Sequence, residues 1–169
     1  QTNTDEIEVL IMDAVKQAGE QLKAMRKAEG LRLQEDIVQQ LHSFTHTVDR
    51  VKEYAPSVLE QYKLRLQMRM NEFTSGIIDE TRMLNEVAIF TDKADINEEI
   101  TRLKSHLSQV YSTIERDESI GRKLDFIVQE MNREVNTIGS KANDAKIASE
   151  VVEMKSLLEK IKEQVQNIE

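Results

Sequence analysis

Apolar residues step by three and four along almost the whole chain, and a single proline, Pro56, stands ready to interrupt them. Between Ile7 and Val51 the line runs Ile7, Ile11, Ala14, Ala18, Leu22 and Met25, then Leu33, Ile37, Leu41, Phe44, Val48 and Val51. That period lays one apolar stripe along a helix and does not fit the alternation of a strand. Composition closes the β alternative, because five glycines and one proline cannot punctuate a dozen short strands and aromatic residues make up only 4%. The fold class is all-α, and 169 residues suit a single domain.

Local rules then place the breaks. Gly30 weakens a helix by only about 1 kcal/mol, so residues 7–51 form one very long helix or two segments meeting at Glu29-Gly30. Pro56 cannot continue the helix before it and suits the first turn of the next, which runs through Leu59, Tyr62, Leu66, Met70 and Phe73 to a turn at Thr74-Ser75-Gly76. The expectation is a long antiparallel helical hairpin over residues 1–76, followed by a bundle of amphipathic helices over 77–169. In that second part a helix spans about Asp79 to Thr91, and Asp95 with Glu98 has the spacing of a capping box. Ile96, Ile100, Leu103, Leu107, Val110 and Ile114 make a heptad-like seam. After a stop at Asp117-Glu118-Ser119, Leu124, Ile127, Met131, Val135 and Ile138 line another helix, ending near Gly139-Ser140. Val151, Met154, Leu158, Ile161, Val165 and Ile168 mark the last, capped by Asn143 or Asp144.

Charge and cysteine content exclude several function classes. With no cysteine there is no disulfide scaffold, thiolate zinc site or cysteine nucleophile, and a reducing, cytoplasmic setting is the default. No run of apolar residues is long enough to cross a membrane, and the polar start at Gln1 is not a targeting segment; a chain beginning there is expected to be trimmed or a fragment. The net charge of −8 argues against a simple sequence-blind nucleic-acid binder, which needs clustered Lys and Arg, and no DNA partner is expected. The excess is uneven, with 22 acidic and 15 basic residues over 1–118 but 9 and 8 over 119–169. Local basic groups therefore remain available, at Lys63, Arg65 and Arg69 and at Arg122, Lys123, Arg133 and Lys141.

Two polar strips stand beside the apolar lines. Asp95, Glu99, Arg102 and His106 fall at spacings of four, three and four and share one helix face. They suit a cation held by two carboxylates with His106 as a base, and equally a ladder of intrahelical ion pairs with Asp95 as a cap. The helix from Gly121 to Lys141 carries Asp125, Gln129, Asn132 and Asn136 on one flank and Glu130, Glu134, Thr137 and Lys141 on another. So many amides and carboxylates are expected where a buried polar network, a subunit contact or a site must be satisfied. Glu130 and Glu134 alone make a weak Mg²⁺ or Mn²⁺ site, and a salt-bridged face with Arg133, Lys123 and Lys141 explains them as well. His42, His46 and His106 form no recognisable ligand set, and no phosphate loop or nucleophile elbow occurs.

The block Gly121-Arg122-Lys123-Leu124-Asp125-Phe126, with Gln129-Glu130, Asn132-Arg133-Glu134, Asn136-Thr137 and Ser140-Lys141, resembles the YicC/YloC-like family of bacterial proteins. The stretch from Asp92 to Leu107, Met25-Arg26 with Glu29-Gly30, and the closing residues Glu159 to Glu169 fit the same pattern, although Lys162 stands where many members have Arg. The resemblance covers roughly residues 10–169 and corresponds to the C-terminal helical region of a family member, without its N-terminal domain. It implies a stress-associated endoribonuclease that uses a divalent cation, Mn²⁺ or Mg²⁺, acts on RNA, and assembles as a homo-oligomer, a hexamer among the possible states. Cation-assisted RNA cleavage needs carboxylates for the metal, a proton-transfer group and cations for phosphate. Under the resemblance, Asp95, Glu99, Glu130 and Glu134 are candidate metal ligands. His106, Arg102 and Asp125 are candidate catalytic groups; Arg122, Lys123, Arg133 and Lys141 are candidate RNA contacts; Gln129, Asn132 and Asn136 are a candidate polar network. The competing expectations are a helical oligomerisation scaffold whose chemistry lies in the N-terminal domain, and an adaptor that binds another protein through its helices. The combined site requires the two polar strips to face each other.

Overall fold

The computed structural model describes residues 2–74, 79–116 and 120–168, and among them every regular element is helical. The order is α1 (Thr2–Thr74), α2 (Glu80–Ala94), α3 (Asn97–Ile114), α4 (Gly121–Lys141) and α5 (Ala145–Gln166). The all-α expectation holds.

α1 departs from the expected hairpin. It is one helix of 73 residues that passes through both Gly30 and Pro56. A proline inside a helix removes one backbone hydrogen bond and crowds the carbonyl four residues before, a cost of about 3 kcal/mol. Tertiary packing outweighs that local rule here, because Ala55 is buried in the core and Tyr54 and Val58 pack against it on either side of Pro56. α1 runs unbroken to Thr74. The turn expected at residues 74–76 falls on positions 75 and 76, outside the described residues, as does the stop at 117–119. α2 then returns along α1, with Val87 buried and Thr91, Ala94 and Asp95 facing Ala55, Leu59 and Tyr62 across a cleft of about 350 Å³.

The core is a four-helix arrangement. α1 packs on α3 and α5, and both of these pack on α4, so that α4 lies diagonally across from α1. Ile37, Leu41, Phe44, Val48 and Val51 of α1 meet Leu103 and Val110 of α3, Leu124, Met131 and Ile138 of α4, and Ile147, Met154 and Ile161 of α5, all in one cluster. Each fully buried side chain of this size contributes about 1.5–3 kcal/mol. The packed unit thus draws on both sides of residue 76. Two cross-links fix α1 in register: Arg50 forks onto Glu150 of α5 at 3.0 and 2.8 Å, and Lys104 of α3 donates to Asp49 at 2.8 Å.

α2 and α5 start at side-chain caps: Asp144 accepts from the N–H groups of Lys146 and Ile147, and Asp79 accepts from that of Thr81. The expected Asp95–Glu98 capping box is not what starts α3, because Ile96 stands at its N-cap without a side-chain bond and Asp95, one residue earlier, accepts from the N–H of Asn97 at 2.9 Å. Gly139 lets α4 approach α5 closely, since a Cβ there would stand 3.2 Å from the Val151 side chain. North of the bundle α1 runs on as an arm. From Ile7 to Leu31 its large apolar residues stay exposed, Leu10 at 68% and Met25 at 70%.

Candidate functional site

α3 and α4 pack side by side, and of the α4 polar residues Glu134 and Lys141 meet the α3 strip. Glu99, one turn into α3, is 1% exposed; its Oε1 lies 2.7 Å from Nζ of Lys141, at the end of α4, and 3.4 Å from Nη2 of Arg102. Arg102 in turn places Nε 2.9 Å from Oε1 of Glu134, which is 7% exposed, and Nη1 3.5 Å from Glu98. The Lys141 ammonium also donates to the Asp95 carbonyl oxygen at 3.4 Å. The result is an alternating line across the helix seam: Lys141, Glu99, Arg102, Glu134. The hydrogen bond to Glu134 raises the Arg102 guanidinium above its ordinary value; desolvation opposes this, and the charges of Glu134, Glu99 and Glu98 reinforce it.

Not every expected member joins that line. The side chain of Asp95 is spent on the start of α3. Glu130, part-buried, is 3.7 Å from Arg133 on its own helix. Asp125 accepts from Gln129 through Oδ2 at 3.0 Å. His106 is half-buried on the next turn of α3 after Arg102. Three side-chain atoms are buried without a hydrogen-bond partner among the described residues: Oε2 of Glu99, Nδ1 of His106 and Oδ1 of Asp125. Leaving such an atom unpaired costs about 1–3 kcal/mol.

The expected metal set is therefore not assembled. Among the described residues no three His, Asp or Glu side chains converge as a cation site requires. Glu99 and Glu134 already face two cations, and Asp95 and Glu130 are engaged elsewhere. Within this chain the four carboxylates do not fit a divalent ion.

The amide-bearing side of α4 also differs from expectation. Gln129, Asn132 and Asn136 are exposed and do not form a buried network; the polar network is Glu99 and Glu134, both buried, with the part-exposed cations Arg102 and Lys141. Lys141 consequently points inward and leaves the expected RNA-contacting set, whereas Arg122, Lys123 and Arg133 remain on the surface. Sequence reasoning missed Phe126, which lies off the apolar line of α4 and is 63% exposed.

Residues 51–169, which contain the whole seam and both faces of α4, match the family model described as the C-terminal region of YicC-like endoribonucleases. The chain belongs to this family. It is 49% identical over 162 residues to a probable endoribonuclease YicC of Clostridioides difficile, covering 95% of this chain and 55% of that protein. It is 37% identical over 146 residues to a probable endoribonuclease YicC of Haemophilus influenzae, covering 86% of this chain and 50% of that protein. The chain spans about half the length of the curated relatives it matches. The YicC-like match begins at Val51, inside α1, so the exposed arm lies outside the matched stretch.

Proposed function

We propose that this chain is the helical half of a cytoplasmic YicC-like endoribonuclease, and that its part is to hold RNA and join copies of the enzyme. The observation that carries the proposal is the family match over α2 to α5, read together with a polar seam whose carboxylates are already ion-paired. A catalytic carboxylate must be free to take a proton or a cation. Glu99 and Glu134 are instead balanced by Lys141 and Arg102, which makes the seam a structural lock between α3 and α4. In this proposal the divalent cation expected from the resemblance is held by ligands outside these two helices. Joining of copies falls to the arm, where Ile7, Ile11, Leu22 and Met25 keep the spacing of a packed seam and are at least half exposed.

The test compares this chain with a polypeptide of its relatives' full length on labelled single-stranded and hairpin RNAs, with Mn²⁺ or Mg²⁺ and with chelator. Binding without cleavage by the chain, and chelator-sensitive cleavage by the longer protein, is the expected result. Cleavage by the chain alone that disappears in Glu99→Gln or His106→Ala would place the chemistry in the seam and overturn the proposal.

A further inference from the structure

α4 buries Leu124, Ile127, Met131, Val135 and Ile138, and the face directly opposite them carries Arg122, Phe126, Gln129, Arg133, Asn136 and Ser140. The steps are four, three, four, three and four, so these six side chains form one straight ridge along the helix. α4 packs on α3 and α5 only through its other faces, and all six ridge residues are exposed. This ridge is the reverse of the charged seam. The seam pairs each cation with a carboxylate, while Arg122 has no ion-pair partner among the described residues and Arg133 has Glu130 alone, at 3.7 Å with its own side chain 74% exposed.

We infer that this ridge is a binding strip for single-stranded RNA, with Phe126 as the residue on which a base stacks. The inference rests on the proposed function and names the surface that serves it. Three features point to a single strand. An aromatic ring that is 63% exposed offers a flat face to an unpaired base, which a duplex keeps inside its stack. Guanidiniums stand on both sides of that ring, four residues before it and seven after, where a backbone running past a stacked base would carry phosphates. Asn136 supplies a side-chain donor and acceptor along the same line, and Gln129 and Ser140, whose donors go to Asp125 and to the Thr137 carbonyl, supply acceptor oxygens, the kind of group that bonds base edges once they are splayed out. Charge agrees. The chain as a whole is −8, yet its outer α4 side presents Arg122, Lys123 and Arg133 against Glu130 and Asp125, which directs a polyanion to this side of the bundle.

The experiment uses the full chain and fluorescently labelled RNA twelve-mers, single-stranded and duplex, titrated at several salt concentrations. Phe126→Ala weakens single-strand binding by roughly five- to a hundredfold, the loss of one base stack, and leaves duplex binding unchanged. Arg122→Gln and Arg133→Gln weaken binding to all sequences, each reducing the salt slope by about one. Because the chain has no tryptophan, Phe126→Trp adds a unique reporter: it keeps binding, and its emission is quenched by bound RNA. Since Phe126 touches little of the core, circular dichroism of each variant matches the parent. Tight binding that Phe126→Ala and both arginine variants leave unchanged, or a bound Phe126→Trp whose emission is not quenched, overturns the strip while the RNA function stands. No RNA binding by the parent chain at low salt overturns both. Self-association that is lost in Phe126→Ala, with RNA affinity intact, makes the ridge a protein interface and also overturns the strip.

Discussion

Lys141→Met removes the ammonium that faces Glu99 while keeping the aliphatic stem against the seam, and it separates a structural lock from a reactive site. Removing one partner of a buried ion pair costs about 3–5 kcal/mol, since the remaining charge stays out of water. Two features reduce the figure here: the Lys141 side chain is 31% exposed, and Arg102 remains 3.4 Å from the same carboxylate oxygen. The expected loss is about 2–3 kcal/mol, which lowers the melting temperature of a chain this size by roughly 5–10 °C. Glu99→Leu combined with Lys141→Met removes both charges, abolishes the orphaned Oε2, and is expected to lie within about 1 kcal/mol of the parent or above it. Urea unfolding followed by helical circular dichroism gives both numbers. The reasoning is refuted if Lys141→Met unfolds at the parental midpoint, or if the double variant is no more stable than the single one. A second readout uses the relatives' full length. There the double variant retains RNA cleavage if the seam only locks α3 to α4, and loses it while still folded if Glu99 takes part in the chemistry.

Three further outcomes follow from the same geometry. Pro56→Ala restores a helix hydrogen bond in α1 but frees the unfolded chain, so a net gain of about 1–2 kcal/mol is expected in urea unfolding; a loss would mean that the core is built around the proline. Glu150→Gln breaks the fork with Arg50, whose side chain is 45% exposed, and costs about 0.5–1 kcal/mol, less at high salt. The hydrogen bond to Glu150 raises the Arg50 guanidinium above its ordinary value, against desolvation. A raised folded value means that the contribution is fully present below the ordinary arginine range and fades only above it, so the guanidinium adds no slope to stability between about pH 6 and 9. Mn²⁺ added to this chain leaves its melting temperature unchanged, whereas an ion present at a hundred times its dissociation constant would stabilise by about 2.7 kcal/mol. A rise that Glu99→Gln or Glu134→Gln abolishes would restore the seam as a cation site.

Helix type and apolar faces were legible in the sequence because they follow a local period. The steps at Ile96–Ile114, Leu124–Ile138 and Val151–Val165 each became a buried face of α3, α4 or α5. Pro56 was misread for a physical reason: the cost of an internal proline is local, and the Ala55 and Val58 packing that offsets it comes from helices far along the chain. The stripe from Ile7 to Met25 shows the opposite limit, since periodicity marks a face that can be buried and does not name what covers it. For the polar strips, spacing correctly put Glu99, Arg102 and His106 on one side of α3, while Asp95 lies before that helix begins. Spacing held no information about Lys141 and Glu134, whose identity as partners depends on how α3 lies against α4. Phe126 was visible all along as an aromatic residue outside the line through Leu124, Ile127 and Met131.

Under the proposed function, the two faces of α4 divide the labour of an acidic protein that meets a polyanion. Inward, Glu134 and Lys141 are matched by Arg102 and Glu99, so the seam carries charge without carrying a net field. Outward, the cations exceed the carboxylates, while the acidic excess lies over residues 1–118. Had Lys141 faced solvent with Arg122 and Arg133, Glu99 would be buried and paired only at 3.4 Å with Arg102; had Glu134 done so, it would have cancelled part of the positive ridge. Pairing those two inward serves stability and, under the proposed function, RNA contact together. It also explains why a helix so rich in charge sits on the surface of the bundle yet buries seven residues. The same arrangement sets the order in which substitutions act: inward changes move the unfolding midpoint first, and outward ones move RNA affinity at constant stability.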